Sequence, residues 1–389
     1  MGSMISSEPQ QKKQKVDVEA RATFPLMSEA ELERVSVAYE DDEAFSSKLK
    51  DVLQEHGMAV VKDVLTEDEC VAMENMWKRE MAEESALPRK EISEPVWWAN
   101  VWLHAHGEFA WRARLHPRVQ NTFACVFDTK DLACGFDVVK NFCVADGKAQ
   151  TDNRQWLHVD QNTCTGITDE CYQGILYLWH SAGEDRSTTV IWPGSHKQDG
   201  TYGRLIEDPS SKAKGSLRNA YGIPFGHYIE LNQLEAEGSK ELVDEALNGA
   251  RRVPVPRGAL LLWSSRAVHQ GWAGGPRLAV PICWEPKDRV SPEARQRKMF
   301  MAAAGFPSTH SPSEALVHPC IATRRGDKAR MQRTGVRPFS VLPAKDLPDS
   351  EWDELWRAWE GEQFAEDLLR AFDPSALEKA LKPEILAAI

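Results

Sequence analysis

The sequence predicts a mainly β core with added helices: a sandwich or barrel of the jelly-roll type, flanked by N- and C-terminal helical segments. Two observations carry this. From Gly135 to Lys287, short runs rich in β-branched and aromatic residues are separated by Gly, Pro, Asn and Asp, which is the texture of an all-β domain. On either side, from Ser28 to Glu55 and again after Pro286, the chain is rich in helix formers.

Taken in order, residues 1–27 are polar and lack periodic apolar positions, so they read as a disordered tail that opens with a Met1-Gly-Ser-Met4 cloning scar. Gly57-Met-Ala-Val-Val-Lys-Asp-Val-Leu65 has the short β-branched run of a strand. Thr66 followed by Glu69 is a capping-box signature for a helix over Cys70 to Met81. Residues 95–127 hold Trp97, Trp98, Trp102, His104, His106 and Trp111. Aromatic packing over the sheet is their commoner use, and a wall of a substrate pocket is the sharper reading. The core strands are expected at Phe136–Val144, Gln155–Asp160, Gly174–Trp179, Thr188–Trp192, Ala259–Trp263 and Arg277–Trp284. An insertion at 199–248, with a helix-like stretch from Leu234 to Leu247, reads as lid-like. Residues 28–290 form the main domain and 291–389 a helical extension, with an amphipathic segment from Glu351 to Phe372 and a short last helix.

Composition narrows the function classes. Hydrophobic residues make up 42% and charged residues 27% of the 389, near the globular average. No apolar run is long enough to span a bilayer. A net charge of −12 argues against broad attachment to nucleic acid or anionic membrane. The eight cysteines are scattered, without the paired spacing of a zinc site, which points to a reducing, cytoplasmic setting. Monomer and homodimer both stay open.

The chemistry gathers in Gln155-Trp-Leu-His158-Val-Asp160. In a strand, side chains at i and i+2 share a face, so His158 and Asp160 can converge on one ion. A mononuclear iron(II) that binds co-substrate and dioxygen takes two His and one carboxylate and keeps its other positions open. His269 is the best-placed second His, because the apolar strand Gly258 to Trp263 runs into the polar cluster Ser264-Ser-Arg-Ala-Val-His269. His196, His180 and His227 compete for that place, but His196 sits in a Pro-Gly-Ser-His turn and the other two lack a strand-paired acid. Arg277 follows at the start of a returning strand, and its guanidinium can grip one end of a dicarboxylate in a bidentate fork. Taken singly, each of these residues has a bland reading: solvated strand residues for the His-x-Asp pair, and a surface ion pair for Arg277.

Together the motifs Gly57–Leu65 with its Thr66-capped helix, Trp156-Leu-His158-Val-Asp160-Gln, Ile191-Trp-Pro-Gly-Ser-His196-Lys197, Arg257-Gly-Ala-Leu-Leu-Leu-Trp263 to His269-Gln-Gly-Trp272, and Arg277 resemble the phytanoyl-CoA dioxygenase-like family of 2-oxoglutarate oxygenases. The resemblance covers about residues 50–310. It implies a double-stranded β-helix core, iron(II) on His158, Asp160 and His269, 2-oxoglutarate with its distal carboxylate on Arg277, and dioxygen as the oxidant. It also places Tyr177, Asn141 and Thr189, or its neighbour Thr188, beside the co-substrate. Leu157 stands before the first metal His, where the family often has an aromatic residue.

The function this implies is oxidation of a small-molecule metabolite by hydroxylation, desaturation or cyclisation, with release of succinate and carbon dioxide. Asp160 favours these over halogenation, since related halogenases lack the carboxylate. An oxygenase acting on a nucleic-acid base would need the Arg251-Arg252 pair and the Arg324-Arg325 to Arg333 cluster to form a basic path. A non-catalytic jelly-roll binding protein would have no use for two His, one Asp and one Arg in this order.

Overall fold

A computed structural model describes residues 24–85, 105–142, 156–314 and 381–389, leaving out positions 138, 219–221, 223, 225, 273, 305 and 306 within these ranges, together with residues 375, 378 and 379. In chain order its strands are β1 (Ser36–Ala38), β2 (Met58–Lys62), β3 (Leu132–Cys134), β4 (Lys140–Phe142), β5 (His158–Val159), β6 (Tyr172–Tyr177), β7 (Thr188–Ile191), β8 (Ile229–Glu230), β9 (Arg251–Arg252), β10 (Leu260–Ser264), β11 (His269–Trp272), β12 (Arg277–Ile282) and β13 (Trp284–Pro286). Six of them form a sheet in the order β1-β2-β10-β6-β12-β4, five form a second in the order β8-β5-β11-β7-β9, and β13 pairs with β3. All these pairings are antiparallel except β1 with β2. The fold is the expected mainly β jelly-roll core with added helices.

Period-two alternation sorts the six-stranded sheet into two faces. Leu260 and Leu262 of β10 join Leu176, Leu278 and Val280 in a core shared with Phe45, Leu49 and Leu53 of α2 (Glu43–His56), Trp111 of α4 (Glu108–Arg114) and Phe123 of α5 (Pro117–Phe127). Leu261 and Trp263 point the other way, into a second core with Met58, Val60, Ile175 and Ile191 between the two sheets. α2 ends at Gly57, whose φ of 68° is left-handed, and a Cβ there would run into the His196 ring.

Several expectations change. Phe24 and Met27, assigned to the tail on composition, are buried, and Leu26 bridges Arg252. Order therefore begins before residue 28. The helix-rich stretch 28–55 contains a strand, because Ser36-Val-Ala38 pairs with β2 once the sheet is present and tertiary pairing outweighs local propensity. The expected helix after Thr66 is α3 (Glu67–Ser85), with both capping-box bonds made. In the insertion, α6 (Thr201–Glu207) and α8 (Ser239–Gly249) put Tyr202, Leu205, Leu242 and Ala246 on the outer face of the five-stranded sheet, against Leu157, Val159 and Val190. β8, from the same insertion, extends that sheet. The insertion's helices thus back the smaller sheet, while its Tyr228 ring lies 4.9 Å from that of His158. The C-terminal residues Leu381, Ile385 and Ile389 join the helix-side core, and Cys134 N–H donates to Ala388 O at 2.8 Å.

His106 and Trp111 pack around Phe136, the commoner reading of that aromatic stretch. Trp97, Trp98, Trp102, His104, the Arg324–Arg333 cluster and the Glu351–Phe372 segment lie outside the described residues. No helix among the described residues is long and apolar enough to cross a membrane.

Candidate metal centre

β5 and β11 are adjacent and antiparallel, with His269 directly opposite His158. Directly opposed residues share a face, and here the two rings lie 4.4 Å apart. Each ring is fixed by a backbone carbonyl at Nδ1: Trp156 O at 2.8 Å for His158 and Ala267 O at 3.0 Å for His269. The free Nε2 atoms then meet the Asp160 carboxylate, His158 at 3.6 Å from Oδ1 and His269 at 3.1 Å from Oδ2. The chain leaves β5 under a clamp in which Asp160 and Gln161 N–H both donate to Ser265 O at 3.0 Å. One ligand atom from each of His158, Asp160 and His269 lies within 4.8 Å of the other two.

Electrostatics suits a cation. Burial, aided by neighbouring His269, drives the His158 imidazole down to about 3 against the pull of Asp160, so it is neutral and its Nε2 lone pair is available. Burial works to raise the Asp160 carboxyl, but His310, His158 and His269 outweigh it and hold the group well below the usual range. Two imidazole nitrogens and one carboxylate oxygen, with both rings oriented through their far nitrogens, fit iron(II) with open positions.

The second end of the site is built on β12 and β6. Arg277 is buried, and its Nη2 donates to Tyr177 Oη at 2.7 Å and lies 3.4 Å from Thr189 Oγ1. Tyr177 and Thr189 also bond each other at 3.0 Å. The buried Arg277 Nε has no hydrogen-bond partner, an orphaned donor that a carboxylate would satisfy. Between the two ends, Gly271 takes the place two residues after His269 and opposite Thr189. A Cβ there would meet only Trp156, at 3.6 Å. Gly271 thus puts no side chain beside Thr189 on this face.

His158, Asp160, His269, Arg277, Tyr177 and Thr189 are therefore brought together. Thr188 faces away and donates to Val253 O through Oγ1. Asn141 lies on β4 opposite Leu278, and the register place facing Arg277 belongs to Phe142. His196 packs at the end of α2 with Nε2 3.2 Å from Gln54 O, and His180 is exposed. Arg251 pairs with Glu31, and buried Arg252 is held by Phe24 O and Glu184.

Four residues at the site escaped the sequence reading. Gln173 donates to Asp160 Oδ2 at 2.8 Å, and His310 Nδ1 lies 3.9 Å from the same oxygen. Glu314 pairs with His227 Nε2 at 3.2 Å, and the Tyr228 ring sits 4.9 Å from that of His158. Burial lowers His227 to about 4. Gln173 could have been found, since it shares β6 and its face with Tyr177. His310 and Glu314 could not, because their segment carries no periodicity and lies far along the chain. Trp156 stacks on His158 with ring centroids 4.4 Å apart and is 40% exposed.

The profile of the family described as Phytanoyl-CoA dioxygenase (PhyH) matches residues 53–277, more than half of the chain. "Ava biosynthesis cluster protein O" of Aspergillus versicolor is 27% identical over 227 residues, which are 56% of this chain and 68% of that one. Among solved structures, the epimerase SnoN, in complex with Fe3+, alpha ketoglutarate and nogalamycin RO, is 15% identical over 62% of this chain and 84% of its own, with a TM-score of 0.40. HygX from Streptomyces hygroscopicus, with nickel and 2-oxoglutarate bound, is 15% identical over 61% and 85%, with a TM-score of 0.36.

Proposed function

The chain belongs to the phytanoyl-CoA dioxygenase family of iron(II)- and 2-oxoglutarate-dependent oxidoreductases, and from that premise we propose that it oxidises a small-molecule metabolite at the His158–Asp160–His269 centre. The observation that carries the residue assignment is the convergence of the two imidazoles and the carboxylate within 4.8 Å. Iron(II) bound there supplies the redox chemistry that couples decarboxylation of 2-oxoglutarate, to succinate and carbon dioxide, with oxidation of the substrate by dioxygen.

The protein's own part is placement. His158 and His269 offer their Nε2 atoms, and Asp160 offers the anionic oxygen that balances part of the ion's charge. Arg277 takes the distal carboxylate of 2-oxoglutarate, with Tyr177 and Thr189 fixing the guanidinium and leaving Nε for the incoming anion. Gly271, which has no side chain, leaves room for the co-substrate between the two ends. On the substrate side stand Trp156, Tyr228, His310 and the His227–Glu314 pair, a mixed aromatic and polar wall. Such a wall suits a compact metabolite with oxygen or nitrogen functions that can hydrogen-bond while a C–H bond faces the metal. Hydroxylation, desaturation and cyclisation all begin from that pose.

The test is succinate formation from 2-oxoglutarate with iron(II) added anaerobically before exposure to air, comparing the native protein with Asp160→Ala and Arg277→Ala. The native protein is expected to release succinate slowly without substrate. Asp160→Ala should fall to background, whereas Arg277→Ala should recover in part at high 2-oxoglutarate. Failure of the native protein to bind either iron(II) or 2-oxoglutarate would sink the reading.

A further inference from the structure

Gln173 is absent from the ligand set and from the co-substrate contacts, yet it is buried and its side-chain amide is aimed at a metal-binding carboxylate. Nε2 donates to Asp160 Oδ2 at 2.8 Å and lies 3.4 Å from Ser265 Oγ. Ser265 in turn accepts, through its carbonyl, the backbone N–H of Asp160 at 3.0 Å. The aspartate is thus gripped twice, at its backbone from β10's end and at one carboxylate oxygen from β6. Oδ1 lies 3.6 Å from His158 Nε2, while Oδ2, the oxygen that accepts from Gln173, also lies 3.1 Å from His269 Nε2.

We propose that Gln173 is a positioning residue that keeps Asp160 a one-oxygen ligand, so that the metal retains the open positions its co-substrates need. The inference rests on the metal-centre reading above. A carboxylate is free to bind a divalent ion through one oxygen or through both. Three protein ligands on a six-coordinate ion leave three open positions, and a chelating aspartate would remove one of them. An amide donor on Oδ2 draws electron density from that oxygen and fixes the plane of the carboxylate, which disfavours the two-oxygen mode. Outer contacts of this kind orient ligands and tune the ion.

The placement on β6 gives the idea a second support. Gln173 and Tyr177 are four residues apart on one strand and so share a face. Tyr177 holds Arg277 at 2.7 Å, while Gln173 holds Asp160 at 2.8 Å. A single strand of the larger sheet thereby aligns the metal end and the co-substrate end of a site whose metal ligands belong to the smaller sheet and the turn that follows β5.

The experiment uses the full chain loaded with manganese(II), with water-proton relaxation as the measure of exchangeable waters on the ion, alongside 2-oxoglutarate titration and thermal melting of the metal-free protein. In Gln173→Met the relaxation enhancement per bound ion is expected to fall by about a third, from three waters to two. Affinity for 2-oxoglutarate should weaken on the order of 10-fold. Gln173→Asn keeps an amide but withdraws it by one methylene; it is expected to show the same fall and serves in place of Gln173→Met should that variant not fold. A packing role alone would lower the melting temperature without changing the number of waters per ion. Relaxation and 2-oxoglutarate affinity equal to native in folded variants would overturn the proposal. A native protein that binds no manganese(II) would overturn the metal-centre reading itself, and the proposal with it.

Discussion

The two sheets of this molecule are built to different standards. In the six-stranded sheet, β10 is buried along its whole length and lies between two partners with registers of four and five residue pairs. In the five-stranded sheet, β5 has two residues and meets β11 at one register pair, His158 with His269. The larger sheet holds the apolar core between helices and the facing strands, whereas the smaller one supplies both metal-binding histidines. The difference teaches that two ligand-bearing strands need little pairing of their own when another sheet and a backing layer hold them. Here that backing comes from the insertion helices, and the alignment comes from Gln173 and Tyr177 of β6.

Substitutions can break this division of labour. The largest effect on stability is expected in the larger sheet: Leu262→Ala leaves a cavity between β10 and the helix layer and costs about 2–5 kcal/mol. Denaturant unfolding should report that loss, while the folded fraction keeps native affinity for iron(II). A change in metal affinity would mean that the two sheets are not separable. A smaller effect, this time on function, is expected for Tyr177→Phe. Losing the hydroxyl that fixes Arg277 should raise the KM for 2-oxoglutarate about tenfold, corresponding to about 1.4 kcal/mol. Metal affinity should stay native, and an unchanged KM would show that Thr189 alone suffices to hold the guanidinium.

The smallest effect sharpens the comparison through pH. Burial pushes the His158 imidazole of the folded protein down to about 3 from its ordinary 6.5. Between those values the unfolded chain binds a proton that the folded one does not, so stability of the metal-free protein rises with pH across that window. Its melting temperature should therefore fall as pH drops from 6.5 toward 3, with a shallower slope in His158→Gln. Equal slopes would place the acid sensitivity elsewhere.

Much of the site was legible because its parts follow strand arithmetic. His158 and Asp160 are two residues apart, and Arg277 opens the strand that returns after His269. Tyr177 and Thr189 were named with them through the family resemblance, and they stand against the Arg277 guanidinium. What escaped was set by contacts between distant segments. Ser36–Ala38 reads as part of a helical stretch until β2 lies beside it. Phe24 and Met27 look like tail until a pocket exists to bury them. His310 reaches Asp160 from 150 positions further along the chain.

By itself the sequence determined the β-core class, the two-His-one-carboxylate donor set and the arginine that faces it, because alternation and residue chemistry act over a few neighbouring positions. Only the tertiary structure decided that the insertion backs the smaller sheet, that His310, Glu314 and Tyr228 line the site, and that Gln173 grips the aspartate. Those outcomes depend on which faces of distant segments bury one another, and no local spacing encodes that.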